Sequence, residues 1–243
     1  MKKLLVIGIA ALILSCDDED VWDCVQKSGE TIIYEIPSDT IITKIKVFDD
    51  INVVLHSADS QKLEIHTGEN LIPDIDFLGD TGVVHVFNRN VCRWTRSPNN
   101  IELHIYGSEL NFIQKEGYGT ITNKDTLYHR VSFVTYGPGE INLVLNNPRI
   151  SFQLYSLTNV NLSGFTNSLG CYINTARDPI LNARDLRANN VSVTHDGFND
   201  AIVFHVSILN YRIWNNGNII VFNEPENINE IEKTGTGKLI KNY

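Results

Sequence analysis

The stretch TYGPGEINLVL, residues 135–145, places Gly137 and Gly139 directly before a run whose apolar residues, Ile141, Leu143 and Leu145, fall at every second position. That alternation is the period of a β-strand with one buried face. The glycines are then either a phosphate-cradling loop or a corner. A phosphate loop needs a helix behind it to aim N–H groups at the anion, and here a strand follows. The dinucleotide pattern also requires glycine at 142, where the chain has Asn142. A second candidate, EKTGTGKLI, carries the pair Gly237 and Lys238 but has Glu232 and Leu239 where a phosphate loop needs Gly and Ser or Thr. Both nucleotide readings fall, and the glycines are corners.

Moving outward, the same pattern recurs. The first apolar residues after successive turns are Ile121, Ile141, Val160, Ile180, Ile202, Ile219 and Leu239, separated by 20, 19, 20, 22, 17 and 20 residues. Two residues before each lie Gly119, Gly139, Thr158, Asp178, Asp200, Gly217 and Gly237. Gly and Asp tolerate the left-handed backbone of a sharp corner, so six of these seven positions read as structural turns. A helix-free period near 20 predicts a β-solenoid, in which each short strand pairs in parallel with its copies above and below. The inward row is expected to be Leu110 and Phe112, Val131 and Phe133, Ile150 and Phe152, Cys171 and Ile173, Val191 and Val193, then Ile213. Seven such coils would stack to about 34 Å. A leucine-rich repeat has a similar period, but only LTNVNLSGF from Leu157 fits one.

Before this region, residues 30–107 read as short period-two strands (TIIYEI, TKIKVF, INVVLH, KLEIH, GVVHVF, IELHIY), with Asp80-Thr81-Gly82 as a hairpin turn. The expected organisation is a strand region over 30–107 and a solenoid over 108–243, continuous with it or separate.

The chain opens MKKLLVIGIAALILSC: two lysines, an apolar run from Leu4 to Leu14, then Ser15 and Cys16. The run is too short for a bilayer span, which takes about 20 residues, and it has the layout of a secretory signal over 1–15. Ile13, Leu14 and Ser15 before Cys16 resemble a lipobox, which implies cleavage before Cys16 and its lipidation. Loss of Lys2 and Lys3 moves the net charge from −9 to −11, which excludes nucleic acid and anionic lipid headgroups as favourable partners. Asp17, Asp18, Glu19, Asp20 and Asp23 form an acidic tether over 16–29, and the run resembles a surface-export signal of some lipoproteins. Of the remaining thiols, Cys24 in the tether and Cys92 in the polar loop NRNVCRWTRSPNN are expected to pair in an oxidising compartment. Cys171 is left as a small buried hydrophobe.

The lipobox, the strand set with CRW at 92–94, GYGTI from 117, GPGEIN from 137 and GTGKLI from 235 together resemble the putative autotransporter adhesin family with a head GIN domain. The resemblance implies a right-handed parallel β-helix at the bacterial cell envelope; with the lipobox and the acidic run, the expected place is the outer membrane, lipid-anchored through Cys16 and facing the cell surface.

Residues that could carry chemistry are few. His56, His66, His85, His104, His129, His195 and His205 stand singly, without metal-ligand spacing, so no metal and no cofactor is expected. Asp178 and Asp200 hold the same slot on neighbouring coils, where their carboxylates would lie about 5 Å apart, as in a retaining glycosidase; Arg177, Arg184 and Arg187 are near in sequence. The competing reading makes both aspartates corner residues. Trp94, Trp214, Tyr106, Tyr118, Tyr136 and Tyr155 are candidates for stacking on sugar rings or anchoring a protein. The whole is read as a non-enzymatic lipoprotein that binds glycan or protein, with a β-helix polysaccharide-processing enzyme and a purely structural envelope protein as alternatives.

Overall fold

A computed structural model describes residues 27–90, 100–174, 178–204 and 206–243. The signal segment, Cys16, the acidic run, Cys24, Cys92, Trp94, Arg177 and His205 lie outside these residues. The described chain is all-β apart from one 3-10 turn at Glu69–Asp74, and it forms a β-solenoid.

From Phe112 onward the chain winds as a regular coil. One face is built from β8 (Phe112–Lys115), β10 (Val131–Thr135), β12 (Ile150–Leu154), the second halves of β13 (Thr158–Ile173) and β14 (Ile180–His195), β16 (Val206–Ile213) and β18 (Asn227–Lys233). The other comprises β9 (Thr120–Asn123), β11 (Gly139–Asn147), the first halves of β13 and β14, β15 (Ala201–Val203), β17 (Ile219–Val221) and β19 (Leu239–Lys241). Every pairing along both faces is parallel. An inward column on the first face runs Ile113, Phe133, Phe152, Cys171, Val193, Tyr211. Phe133 and Phe152 stack at 5.2 Å and are fully buried, each contributing about 2–3 kcal/mol by burial. Cys171 is buried and free.

The expected inward row is wrong at one place. Phe112 faces outward, and β8 turns Ile113 and Lys115 into the core. The register also differs at two coils: Val160 pairs with Leu181, not Ile180, and β14 pairs with β15 as Asn182 with Ile202, so Ala201 takes the inward place. Leu181 and Ala201 are fully buried, whereas Ile180 and Ile202 are half-buried. Apolar residues adjacent in sequence left two possible registers, and burial of one face selects between them.

Residues before 108 do not stack in chain order. β2 (Lys44–Val47) lies between β8 and β6 (Val83–Asn88), parallel to both, and β3 (Asn52–His56) lies likewise between β9 and β7 (Glu102–Tyr106). The chain makes one coil, adds the next on its outer side, then crosses back to continue in the other direction. The regions 30–107 and 108–243 therefore share one sheet system. Antiparallel strands cover the early end: β5 (Ile75–Asp80) on β6, β4 (Lys62–Gly68) on β7, and β1 (Thr31–Glu35) on β4. These strands form a cap over the early coils.

Corner positions obey two different constraints. Gly119 has φ +119° and Asp178 has φ +47°, both left-handed. Space also limits these positions: a Cβ at Gly139, whose φ is +159°, at Gly217 or at Gly237 would lie 2.1, 2.4 or 2.1 Å from a backbone carbonyl of the preceding coil, and one at Gly119 would lie 2.8 Å from the Ile51 carbonyl. Asp200 has neither constraint and uses its side chain, as described below. The left-handed corner therefore accounts for only part of the glycine pattern; close stacking of coils accounts for the rest.

Candidate functional site: an aromatic ridge and a histidine cluster

The paired carboxylates can be placed first. With Asn182 level with Ile202, Asp200 is level with Ile180 and not with Asp178, so the two aspartates do not share a slot. Asp178 Oδ1 accepts the Phe198 N–H at 3.0 Å, and Asp200 Oδ1 accepts the Asn218 N–H at 3.1 Å and its Nδ2 at 2.8 Å. Both carboxylates tie one coil to the next. Arg184 lies over the Phe222 ring at 4.5 Å.

The aromatics divide. Tyr118 is exposed, and Tyr106 belongs to the histidine cluster below. Tyr136 and Tyr155 follow Thr135 and Leu154, which pair across β10 and β12, so the two rings stack at 5.1 Å and 9°. Tyr155 meets Tyr172 edge-on at 5.8 Å, and Trp214, two coils further on, reaches back to Tyr172 at 6.3 Å. The four rings make an outward ridge across five coil levels, about 19 Å at the spacing of paired strands. Polar groups border it. Tyr155 Oη donates to Gln153 Oε1 at 3.2 Å, Asn174 Nδ2 donates to Tyr172 Oη at 3.1 Å, and Trp214 Nε1 donates to Glu232 Oε2 at 3.0 Å. Tyr172 is tilted 61° from Tyr155 and 66° from Trp214, so the ridge presents rings at more than one angle. Tyr136 is 52% exposed and Trp214 38%, leaving apolar area that a bound partner would remove from water. Tyr172 is the member that sequence spacing missed; its signal was alternation, since it lies between inward Cys171 and Ile173.

Asn142, Asn161 and Asn182 form a hydrogen-bonded amide ladder on the other face, at 2.8 and 3.1 Å, along a groove of about 420 Å³.

Three histidines read as scattered come together. His56 on β3, His104 on β7 and His66 on β4 meet under Tyr106, with Glu64, Glu102 and Asp125 beside them. Their contact depends on the antiparallel β4–β7 pairing and the displaced coil. Among the described residues, no group of three or more His, Cys, Asp or Glu is arranged to hold a metal ion. His195 is fully buried, with Nε2 on the Asn199 carbonyl at 2.7 Å and Nδ1 accepting the Gly197 N–H at 3.1 Å. Burial lowers its proton affinity and that of His129.

Residues 42–225 match the family described as putative auto-transporter adhesin, head GIN domain. A structure described as a putative adhesin from Bacteroides fragilis superposes with a TM-score of 0.74 at 16% identity, covering 89% of this chain and 99% of that one. A putative adhesin from Parabacteroides distasonis gives 0.64 at 15%, over 88% and 98%. A structure from the same organism described as a putative lipid binding protein gives 0.61 at 15%, over 89% and 99%. These identities carry the fold alone. No curated protein matches the chain.

Proposed function

The chain belongs to the putative auto-transporter adhesin, head GIN domain family, and from that premise we propose that it is a cell-envelope lipoprotein whose solenoid is a non-enzymatic binding module. The observation that carries the reading is the outward ridge of Tyr136, Tyr155, Tyr172 and Trp214, bordered by Gln153, Asn174 and Glu232. Ring faces next to amide and carboxylate groups match a glycan, which offers apolar C–H faces and hydroxyls on one surface. A protein partner uses the same aromatic anchors and is the alternative outcome of the test.

The test is a glycan and protein binding screen on the soluble form from residue 24, followed by Trp214→Ala and Tyr136→Ala. Loss of a stacked ring costs about 1–3 kcal/mol, or roughly 5- to 150-fold in affinity. Asp178→Asn and Asp200→Asn are expected to leave binding unchanged. Binding that survives both aromatic substitutions refutes the ridge. Release of reducing sugar that Asp178→Asn abolishes would establish the enzyme reading instead.

Anchoring rests on Cys16 and the signal before it. Cys16→Ala is expected to move the protein from the membrane to the soluble fraction, and unchanged membrane partitioning would overturn it. In this reading the anchor lies in the outer membrane, and the acidic tether holds the solenoid off the lipid surface.

A further inference from the structure

The histidine cluster sits at the seam between the antiparallel cap and the early coils. His104 of β7 is its centre. His56 of β3 meets it edge to edge, with His56 Nε2 and His104 Nδ1 2.9 Å apart. His66 of β4 lies flat on its other side, ring centroids 3.7 Å apart and planes within 15°. Tyr106 covers His56 at 4.2 Å, and Lys62 of β4 lies over the Tyr106 ring at 4.6 Å. Carboxylates surround the rings. His104 Nε2 is 3.1 Å from Glu102 Oε2, His66 Nε2 is 3.0 Å from Glu64 Oε2, and His56 Nδ1 is 3.8 Å from Asp125 Oδ2. Glu35 of β1 stands opposite Glu64 in the register.

Proton accounting follows from these contacts. His104 donates its Nε2–H to Glu102, so its Nδ1 is a lone pair, and His56 donates Nε2–H to that lone pair. With both rings neutral, both nitrogens of His104 are satisfied. His56 Nδ1 then carries a lone pair facing Asp125, the one place in line for a further proton. Since the two rings meet edge to edge at hydrogen-bond distance, a proton fits between them and a metal ion does not.

We propose that the chain Asp125, His56, His104, Glu102 is a proton-binding site whose filling loosens the cap strands β1 and β4 from β7, so that the cap opens in acid before the solenoid does. Burial, then the neighbouring His104, hold the proton affinity of His56 below that of a free imidazole; Asp125 and Glu64 oppose this. The hydrogen bond from Lys62 holds the Glu64 carboxyl down to about 2, so that acceptor stays ionised throughout. Detaching β4 lifts His66 off His104 and Lys62 off Tyr106, which lets water reach the relay. The open cap therefore binds the proton more tightly than the closed one. Cap stability from this source is full above the ordinary histidine value of 6.5 and is lost as pH falls below it.

Hydrogen exchange on the full chain reads this by segment. Between pH 7.5 and 5.0, after correction for chemical exchange, the opening of β1 and β4 is expected to rise relative to β11 and β12, which carry no histidine, by about tenfold per unit of pKa difference. His195 closes β14 in a later coil, whereas His129 borders the β3–β4 connection at Ser57, Ala58 and Asp59, so the His56→Gln variant is what separates the relay from His129. In His56→Gln the amide still donates to His104 but cannot titrate, and the cap-specific rise should vanish. A cap that opens no more than the solenoid, or a rise that His56→Gln retains, overturns the proposal. So does an imidazole signal of His56 in the wild-type protein that titrates at or above 6.5.

Discussion

Gly139→Val is expected to abolish folding or to lower the melting temperature by about 10 °C or more, the scale of a loss above about 4 kcal/mol in a chain of this size. A Cβ at 139 would lie 2.1 Å from the carbonyl oxygen of Gly119 on the preceding coil. That neighbour is backbone and cannot rotate away. On the other side the Gly139 N–H is held by the Leu157 carbonyl at 3.1 Å, so the residue cannot retreat along the axis. A companion substitution separates the two possible causes. A left-handed corner would accept Asn, whereas a space limit rejects Ala, Asn and Val alike. We expect all three to fail, and Val144→Thr, at an outward position 49% exposed, to stay within about 0.5 kcal/mol of wild type. If Gly139→Asn melts with the wild type, close stacking is not the constraint.

Wild-type protein should gain about 3 kcal/mol over Lys115→Met as pH rises from 8 to 10.5. Lys115 occupies an inward slot between Val47 and Thr135 and is 3% exposed. Its Nζ donates to the Asp49 carbonyl at 2.9 Å and to the Tyr118 carbonyl. Burial pushes the amine down to about 8, against the pull of Asp50 and Asp49. An amine with depressed proton affinity in the fold gives up its proton at lower pH than it does in the unfolded chain. The stability it contributes is present above 10.5 and is lost as pH falls through 8. Near neutral pH the substitution leaves two carbonyls without this donor, at about 1–3 kcal/mol each, but removes a buried charge; these offset, so the pH dependence is the readout. Tyr211, pushed up to about 12 mainly by burial, weakens the fold in stronger alkali in both proteins and cancels in the difference. Parallel stability curves for the two proteins would show that Lys115 reaches solvent.

Much of the coil was legible because a solenoid repeats its own constraints. Val131, Phe133, Ile150, Phe152, Val191 and Val193 alternate in the sequence and are buried as alternation requires. Phe112 misled because it is large and apolar, whereas the inward places of β8 belong to Ile113 and Lys115, the latter a residue whose burial no hydropathy pattern predicts. Ile180 and Ile202 misled because each adjoins another apolar residue, and a one-residue slip exchanges the faces of a strand.

The aromatic ridge was half legible. Tyr136 and Tyr155 are 19 residues apart, one coil, so their stacking follows from the period. Trp214 reaching Tyr172 across an intervening coil follows from no spacing rule.

What the sequence by itself determined is the period and the alternating faces wherever a single apolar row is present, because these repeat from one coil to the next. What only the tertiary structure decided is the order of the early coils and everything built on it. The coil bearing β6 and β7 lies outside the one bearing β2 and β3, and β4 and β1 then fold back antiparallel onto β7. That arrangement brings together His56, His66 and His104, which no local pattern links. The physical reason is that a coil has two edges with the same hydrogen-bonding pattern. Local sequence is nearly indifferent to which edge the next coil takes, and the choice rests with long-range burial and with the cap.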